Sequence, residues 1–211
     1  MFDIKYVSPK LRLDGSVAIV GSSGCLKNSN LGKEIDSFSE VIRFNRAPTE
    51  GFEQDVGSKT TLRITNNHVF ENKDIRNQGY TRQPPNFVKD LRNSRILYVG
   101  SDLSPWKLRK RHTDPSNSLF LFDYSKMRDL KKDLECGFPR NLLVGSVGIG
   151  LCVSSGIVPA LYGFDTEPLP RTHYFEERPQ KWNDTHHNPT EEQKMLIRLD
   201  QEGLVLIKGN I

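Results

Sequence analysis

Several features that would place a chain in a familiar class are missing from this one. No stretch approaches the roughly 18 consecutive apolar residues that a membrane-crossing helix needs. The opening MFDIKYVSPK has no apolar signal-peptide core, so the expectation is a cytoplasmic protein. Cysteine is scarce: the three residues Cys25, Cys136 and Cys152 are too few and odd in number for a disulfide framework, and are expected as buried or half-buried thiols. Charge of one sign is also scarce. Thirty Lys and Arg face 26 Asp and Glu, a net +4, without the dense basic stripe of a nucleic-acid binder. That small surplus suits an anionic small molecule. The G-x-G-x-x-G and Walker patterns are absent too, which disfavours an NAD-type dehydrogenase and a P-loop enzyme. No clear D-x-D carboxylate pair appears, in agreement with chemistry that uses no metal.

What is present fits one globular domain. The 211 residues are 36% apolar and 9% aromatic, enough for a sizeable core. Residues 1–14 read as a polar, proline-interrupted arm. Short apolar runs at 17–20 (VAIV), 41–44 (VIRF), 60–64 (TTLRI), 95–99 (RILYV), 119–122 (LFLF) and 204–207 (LVLI) read as buried strands. So does 158–164 (VPALYGF), weakened at Pro159. Asn30 can cap a helix carrying Leu31, Ile35 and Phe38 on one stripe. Residues 126–134 suggest a helix with Met127, Leu130 and Leu134 on one face. Residues 146–156 suggest a packed helix or glycine-rich turn, and Asn188-Pro189-Thr190 opens a helix through Leu199. Residues 66–89, with Pro84-Pro85, read as loops with room for a short helix. The alternation predicts an α/β three-layer sandwich with a mostly parallel central sheet, organised as a single domain over 1–211. The basic run 107–111 (KLRKR) reads as a solvated face or as a lid over a phosphate.

The first chemical constellation is VAIVGSSGCLKNSNLG, a strand, a glycine–serine turn and a helix. Ligands of open α/β sheets bind at such strand ends. Gly21 and Gly24 allow close backbone approach, and Ser22 and Ser23 add hydroxyls, so the turn either receives a phosphate or serves packing alone. Asn45, ending the second strand, can bond a ribose hydroxyl or phosphate, or form an Asx turn before Pro48.

Read on through residue 64, the stretch VAIVGSSGCLKNSNLGKEIDSFSEVIRFNRAPTEGFEQDVGSKTTLRI resembles the large sialylmotif of the eukaryotic-type sialyltransferase family. The resemblance makes residues 17–63 the donor-nucleotide half of an α/β active site. It implies a Rossmann-like glycosyltransferase fold (a GT-A variant) and inverting transfer of sialic acid from CMP-sialic acid, with no bound metal or other cofactor. One departure is Ser22, where the family carries Asn. Gly145-Ser146-Val147-Gly148 resembles the small motif P-S-T-G, with Val147 in place of Thr, and Tyr162-Gly163-Phe164 resembles its Y-G-F ending after a shorter interval. Ser146, Val147, Gly148, Tyr162, Gly163 and Phe164 are therefore expected on the donor side. The altered small motif keeps open a transferase for another CMP-linked acidic sugar, such as Kdo or a related nonulosonic acid.

His173-Tyr174-Phe175-Glu176 resembles the family's H-Y-[YFW]-E motif, which implies that His173 faces the donor phosphate with Tyr174 beside it and Glu176 in support. His187 and Glu192 fit H-x-x-x-x-E, which implies His187 as general base and Glu192 as its support; His186 with Glu191 has the same spacing. An acceptor hydroxyl is a poor nucleophile, and a near-neutral imidazole that takes its proton contributes roughly 10²–10⁴ in rate. The expected partners are a CMP-sugar donor and a glycan or glycolipid acceptor, with acceptor choice made by loops between residues 66 and 140. Nucleic acid and a transmembrane segment are not expected, and the 107–111 run could touch an anionic membrane surface. A non-catalytic nucleotide-binding protein is the competing class.

Overall fold

A computed structural model describes residues 1–66, 95–100, 119–137, 141–166, 173–176 and 189–209. Strands β1 (Phe2–Asp3), β2 (Val7–Ser8) and β3 (Arg12–Leu13) come first, followed by β4 (Val17–Val20) and α1 (Gly32–Asp36). Then come β5 (Glu40–Phe44), α2 (Glu53–Val56), β6 (Leu62–Asn66), β7 (Arg95–Gly100) and β8 (Leu119–Asp123). The order ends with α3 (Met127–Asp133), α4 (Val144–Ser154), β9 (Ala160–Tyr162), α5 (Pro189–Gln201) and β10 (Leu206–Lys208).

Among the described residues, eight strands form one sheet in the order β10-β9-β4-β5-β6-β7-β8-β2. The first seven are parallel, and β2 closes the far edge antiparallel to β8. Continuous apolar runs fit because both faces are covered. On one face Ile19, Ile42, Ile64 and Leu97 pack against α3, α4 and α5 through Leu130, Ile149 and Leu196. On the other, Ala18, Val20, Val41 and Tyr162 pack against Ile35 of α1, Val56 of α2 and Tyr174. The arrangement is the expected three-layer, mostly parallel sheet. Residues 146–156 resolve as helix, and Gly148 shows why they are small: a Cβ there would lie 2.8 Å from Phe44 and 2.9 Å from Ile64.

Three expectations need correction. Residues 1–14 are not a loose polar arm. β1 and β3 pair antiparallel, β2 extends the main sheet, and Ile4, Leu11 and Leu13 enter the core. Two-residue strands leave no periodicity to read, and the polar residues between these anchors masked them. Asn30 does not cap α1. It holds a left-handed φ of 58°, and the residue preceding the helix is Leu31, with no side-chain cap bond. Asp55 binds this turn instead, accepting the N–H groups of Asn28 (2.8 Å) and Asn30 (3.0 Å). Moreover, α1 does not directly follow the glycine–serine turn, because a single 3₁₀ turn over Gly24–Leu26 intervenes.

Candidate active site

The strand order reverses direction between β4 and β9: successive strands from β4 run one way across the sheet, and β9 returns on β4's other side. The carboxyl ends of strands at such a switch point form the ligand crevice of open α/β sheets. Gly21 leaves β4 there and Gly163 leaves β9. The Gly21 N–H donates to Tyr162 O (2.7 Å), and the Ser23 N–H donates to Gly163 O (3.3 Å). A Cβ on Gly21 would stand 2.3 Å from Gly163 O, so glycine is required by the neighbouring backbone itself. Two amides expected to face a phosphate are thus engaged within the protein.

The hydroxyls of the turn divide their work. Ser23 Oγ accepts the Cys25 N–H (3.2 Å), capping the 3₁₀ turn that Gly24 opens, and donates to the carboxylate of Asp165. Ser22 is half-exposed, and its carbonyl accepts the Tyr174 N–H at 3.0 Å. Burial raises the Cys25 thiol above its ordinary value, as does the negative charge of Asp165, so Cys25 is a poor nucleophile.

Tyr174 ties three segments together. Its backbone binds the serine turn, its ring packs edge-on against Phe52 (5.2 Å), and its hydroxyl donates to Pro48 O. It is 2% exposed, which makes it an anchor for the 45–48 loop rather than an open phosphate contact. The preceding His173 bridges to Ser23 and stacks on Phe175, with ring centres 5.0 Å apart and 7° between planes. Its Nδ1 lies 2.9 Å from Glu176 Oε2, although the contact is off the line of a good hydrogen bond.

Asn45 follows β5 directly in a left-handed conformation (φ 46°), which Asn tolerates better than most residues. Its N–H donates to Ile64 O (2.9 Å), while Arg63 Nη1 donates to Asn45 O (3.0 Å) and Ala47 O (3.2 Å). Among the described residues, Asn45 Oδ1 is buried with no hydrogen-bond partner. A native buried acceptor in that condition calls for an explanation, and an incoming ligand supplies one.

Sequence reasoning missed what supports this loop. Arg43 and Arg63 pair in register on β5 and β6, and both are almost fully buried. Arg43 donates from Nε to Lys59 O (3.0 Å) and from Nη2 to Val56 O (2.5 Å). The available signal was a single arginine inside each apolar run, VIRF and TLRI. Asp165 was missed as well, one residue beyond the Y-G-F ending.

The small-motif residues turn mainly inward. The Ser146 hydroxyl donates to Glu192, Val147 is fully buried, and Gly148 makes room for β5 and β6. The Tyr162 hydroxyl donates to Glu34 Oε1 (2.6 Å) on the covered face; burial and that carboxylate raise its pKa. These side chains act as packing and capping groups within the protein. Phe164 does reach the crevice. It packs edge-on against Phe44 (6.3 Å), and a Cβ on Gly21 or Gly145 would meet its ring at 3.3 or 3.2 Å. Glu192 also accepts the Leu143 N–H at 3.0 and 3.2 Å, so α5 caps the start of α4 through a buried carboxylate.

His186, His187 and the 107–111 run lie outside the described residues. Among the described residues, no group of three or more His, Cys, Asp or Glu side chains could hold a metal ion, and no helix is long and apolar enough to cross a membrane.

Comparison with known proteins agrees with this geometry. Residues 15–103 match the sequence model of Glycosyltransferase family 29 (sialyltransferase). A Gallus gallus beta-galactoside alpha-2,6-sialyltransferase 2 is 57% identical over 58 residues, covering 28% of this chain and 11% of that protein. Its Danio rerio counterpart is 56% identical over 105 residues, covering 49% and 18%. A Mus musculus beta-galactoside alpha-2,6-sialyltransferase 1 is 50% identical over 66 residues, covering 30% and 16%. The matched segments thus span less than a fifth of each of these relatives. The crystal structure of a mammalian sialyltransferase superposes with a TM-score of 0.67 at 23% identity, covering 93% of this chain and 70% of that one, which establishes the shared fold. On the family match and these relatives, residues 15–103 resemble glycosyltransferase family 29, the sialyltransferases, and the chain shares the fold of a solved sialyltransferase.

Proposed function

We propose that residues 1–211 form one catalytic domain that transfers sialic acid from CMP-sialic acid to a glycan or glycolipid hydroxyl with inversion. The observation that carries this reading is the interlocked crevice at the switch point. There the Ser22-Ser23 turn is joined to His173-Tyr174 through the backbone, Phe164 lies beside Gly21, and Asn45 keeps a buried amide oxygen without a hydrogen-bond partner among the described residues. Such a site suits a nucleotide with one phosphate, because it offers a few directed polar groups rather than a cation cage.

In this reading His173 supports the departing phosphate. Glu176, 2.9 Å from Nδ1, holds the ring beside the place where negative charge builds on CMP. His187 takes the acceptor hydroxyl's proton as the oxygen attacks the anomeric carbon. The bond from that carbon to the CMP phosphate oxygen breaks on the opposite face, so one displacement inverts the centre. Glu192, locked to α4, fixes the start of the helix that follows His187. A good phosphate leaving group needs no metal. The second reading, a donor carrying Kdo or another nonulosonic acid, is supported by Ser22 and Val147 standing where the family has Asn and Thr. The three free thiols suit a reducing compartment, in keeping with a cytoplasmic site of action.

The test measures CMP release and glycan product from a panel of CMP-sugars, together with CMP binding, for the wild type, His187→Ala and His186→Ala. His187→Ala is expected to lose 10²–10⁴ in turnover while keeping CMP affinity. Full activity in that variant would refute His187 as the base. Release from a non-sialyl donor alone would establish the second reading.

A further inference from the structure

Asp165 lies at the carboxyl end of β9, one residue beyond Phe164, and faces the β4 turn across the switch point. Its Oδ1 accepts the Ser23 hydroxyl, which fixes the carboxylate against the turn. The residue is half-buried, and its charge is felt by the neighbouring Cys25 thiol. Its position relative to His173 is defined as well, because both flank Ser23: His173 through the backbone bridge and Asp165 through the side-chain bond.

A carboxylate in this place cannot serve the phosphate, since like charges repel at short range in a partly desolvated crevice. It can only accept hydrogen bonds, and the neutral donors of a nucleotide nearest its phosphate are the ribose hydroxyls. Carboxylates at the strand ends of nucleotide-binding α/β sheets commonly take that part. We infer that Asp165, held by Ser23, accepts a ribose hydroxyl of the donor nucleotide and selects a ribonucleotide over its deoxy analogue. The phosphate then lies toward Ser22 and His173, away from the carboxylate. This inference rests on the proposed CMP site and adds a sugar-selecting group to it.

Calorimetric titration with CMP, 2′-deoxy-CMP and 3′-deoxy-CMP tests it on the wild type, Asp165→Asn and Asp165→Ala. A hydrogen bond to a charged acceptor corresponds to a preference of about 10- to 100-fold for CMP over the analogue lacking the contacted hydroxyl. That preference should fall toward unity in Asp165→Ala and shrink in Asp165→Asn, while affinity for the deoxy analogue changes little. A loss of fold or of pocket shape would weaken all three ligands equally, so the ratio isolates the contact. Tight CMP binding with the same discrimination in all three proteins overturns the role of Asp165 and leaves the CMP site standing. Failure of the wild type to bind CMP overturns both.

Discussion

Removing the Glu192 carboxylate should destabilise the chain by about 3–5 kcal/mol, because it holds two helices together from a site only 3% exposed. Both its oxygens lie within hydrogen-bond range of the Leu143 N–H, at 3.0 and 3.2 Å, and one also accepts the Ser146 hydroxyl. Hydrogen bonds to an ionised group are worth roughly 1.5–3 kcal/mol each, and loss of a helix cap costs about 1–2 kcal/mol. In Glu192→Ala the part-buried amide and the buried hydroxyl both lose this acceptor. For a chain of this size each kcal/mol lowers Tm by about 2–4 °C, so a fall of roughly 10 °C is expected. Ser146→Ala removes one donor without stranding a charge and should cost about 1–1.5 kcal/mol. Because the two groups bond directly, the double variant should be less destabilised than the sum by about 1–2 kcal/mol. Urea unfolding of the four proteins completes the cycle. A Glu192→Ala cost below about 1 kcal/mol, or strict additivity with Ser146→Ala, would refute the buried cap.

Tyr174→Phe keeps the ring packing but deprives Pro48 O of its donor; a stability loss of about 1–3 kcal/mol and several-fold weaker CMP binding are expected, and unchanged CMP affinity would deny Tyr174 its hold on the loop. Gly21→Ala places a methyl 2.3 Å from Gly163 O and must spread β4 from β9, so CMP binding should be lost even where circular dichroism shows a folded chain. Asp36 tests the acid response. Burial pushes its carboxyl up, but the N–H groups of Ser58 and Lys59, the Ser58 hydroxyl and the Arg43 charge outweigh burial and hold it below its ordinary value. A carboxyl held low in the fold stabilises above its unfolded pKa, and that contribution is lost as pH falls through the folded one. The stability gap between wild type and Asp36→Asn should therefore be full at pH 7 and shrink from about pH 4 downward. A gap of equal size at pH 7 and pH 3 would contradict that account.

The parallel core was legible because buried strands write themselves as unbroken apolar runs. Val17–Val20 lies as expected, while β6 starts two residues later than the TTLRI run suggested, since the Thr61 hydroxyl binds the Val41 backbone ahead of the ladder. The N-terminal strands were not legible, because each spans two residues and owes its place to partners far along the chain, as Val7 does to Phe122. Family-like spacing picked out Gly21, Asn45 and His173, which the fold gathers at one edge. It could not tell which of them would face a ligand and which would face the protein.

That distinction belongs to tertiary structure. The amino-acid sequence alone determined the α/β class, the strand-end turn that begins at Gly21 and the candidate groups for a ligand there, since these follow from local apolar patterning and side-chain chemistry. Only the folded chain turned Ser146, Val147 and Tyr162 inward, set Arg63 beneath the Asn45 loop and brought Asp165 against Ser23. Each of these contacts joins residues 16 or more positions apart, or depends on what an adjacent layer covers. Burial and hydrogen-bond partnership are set by the whole sheet and its order, and no local stretch of sequence encodes them.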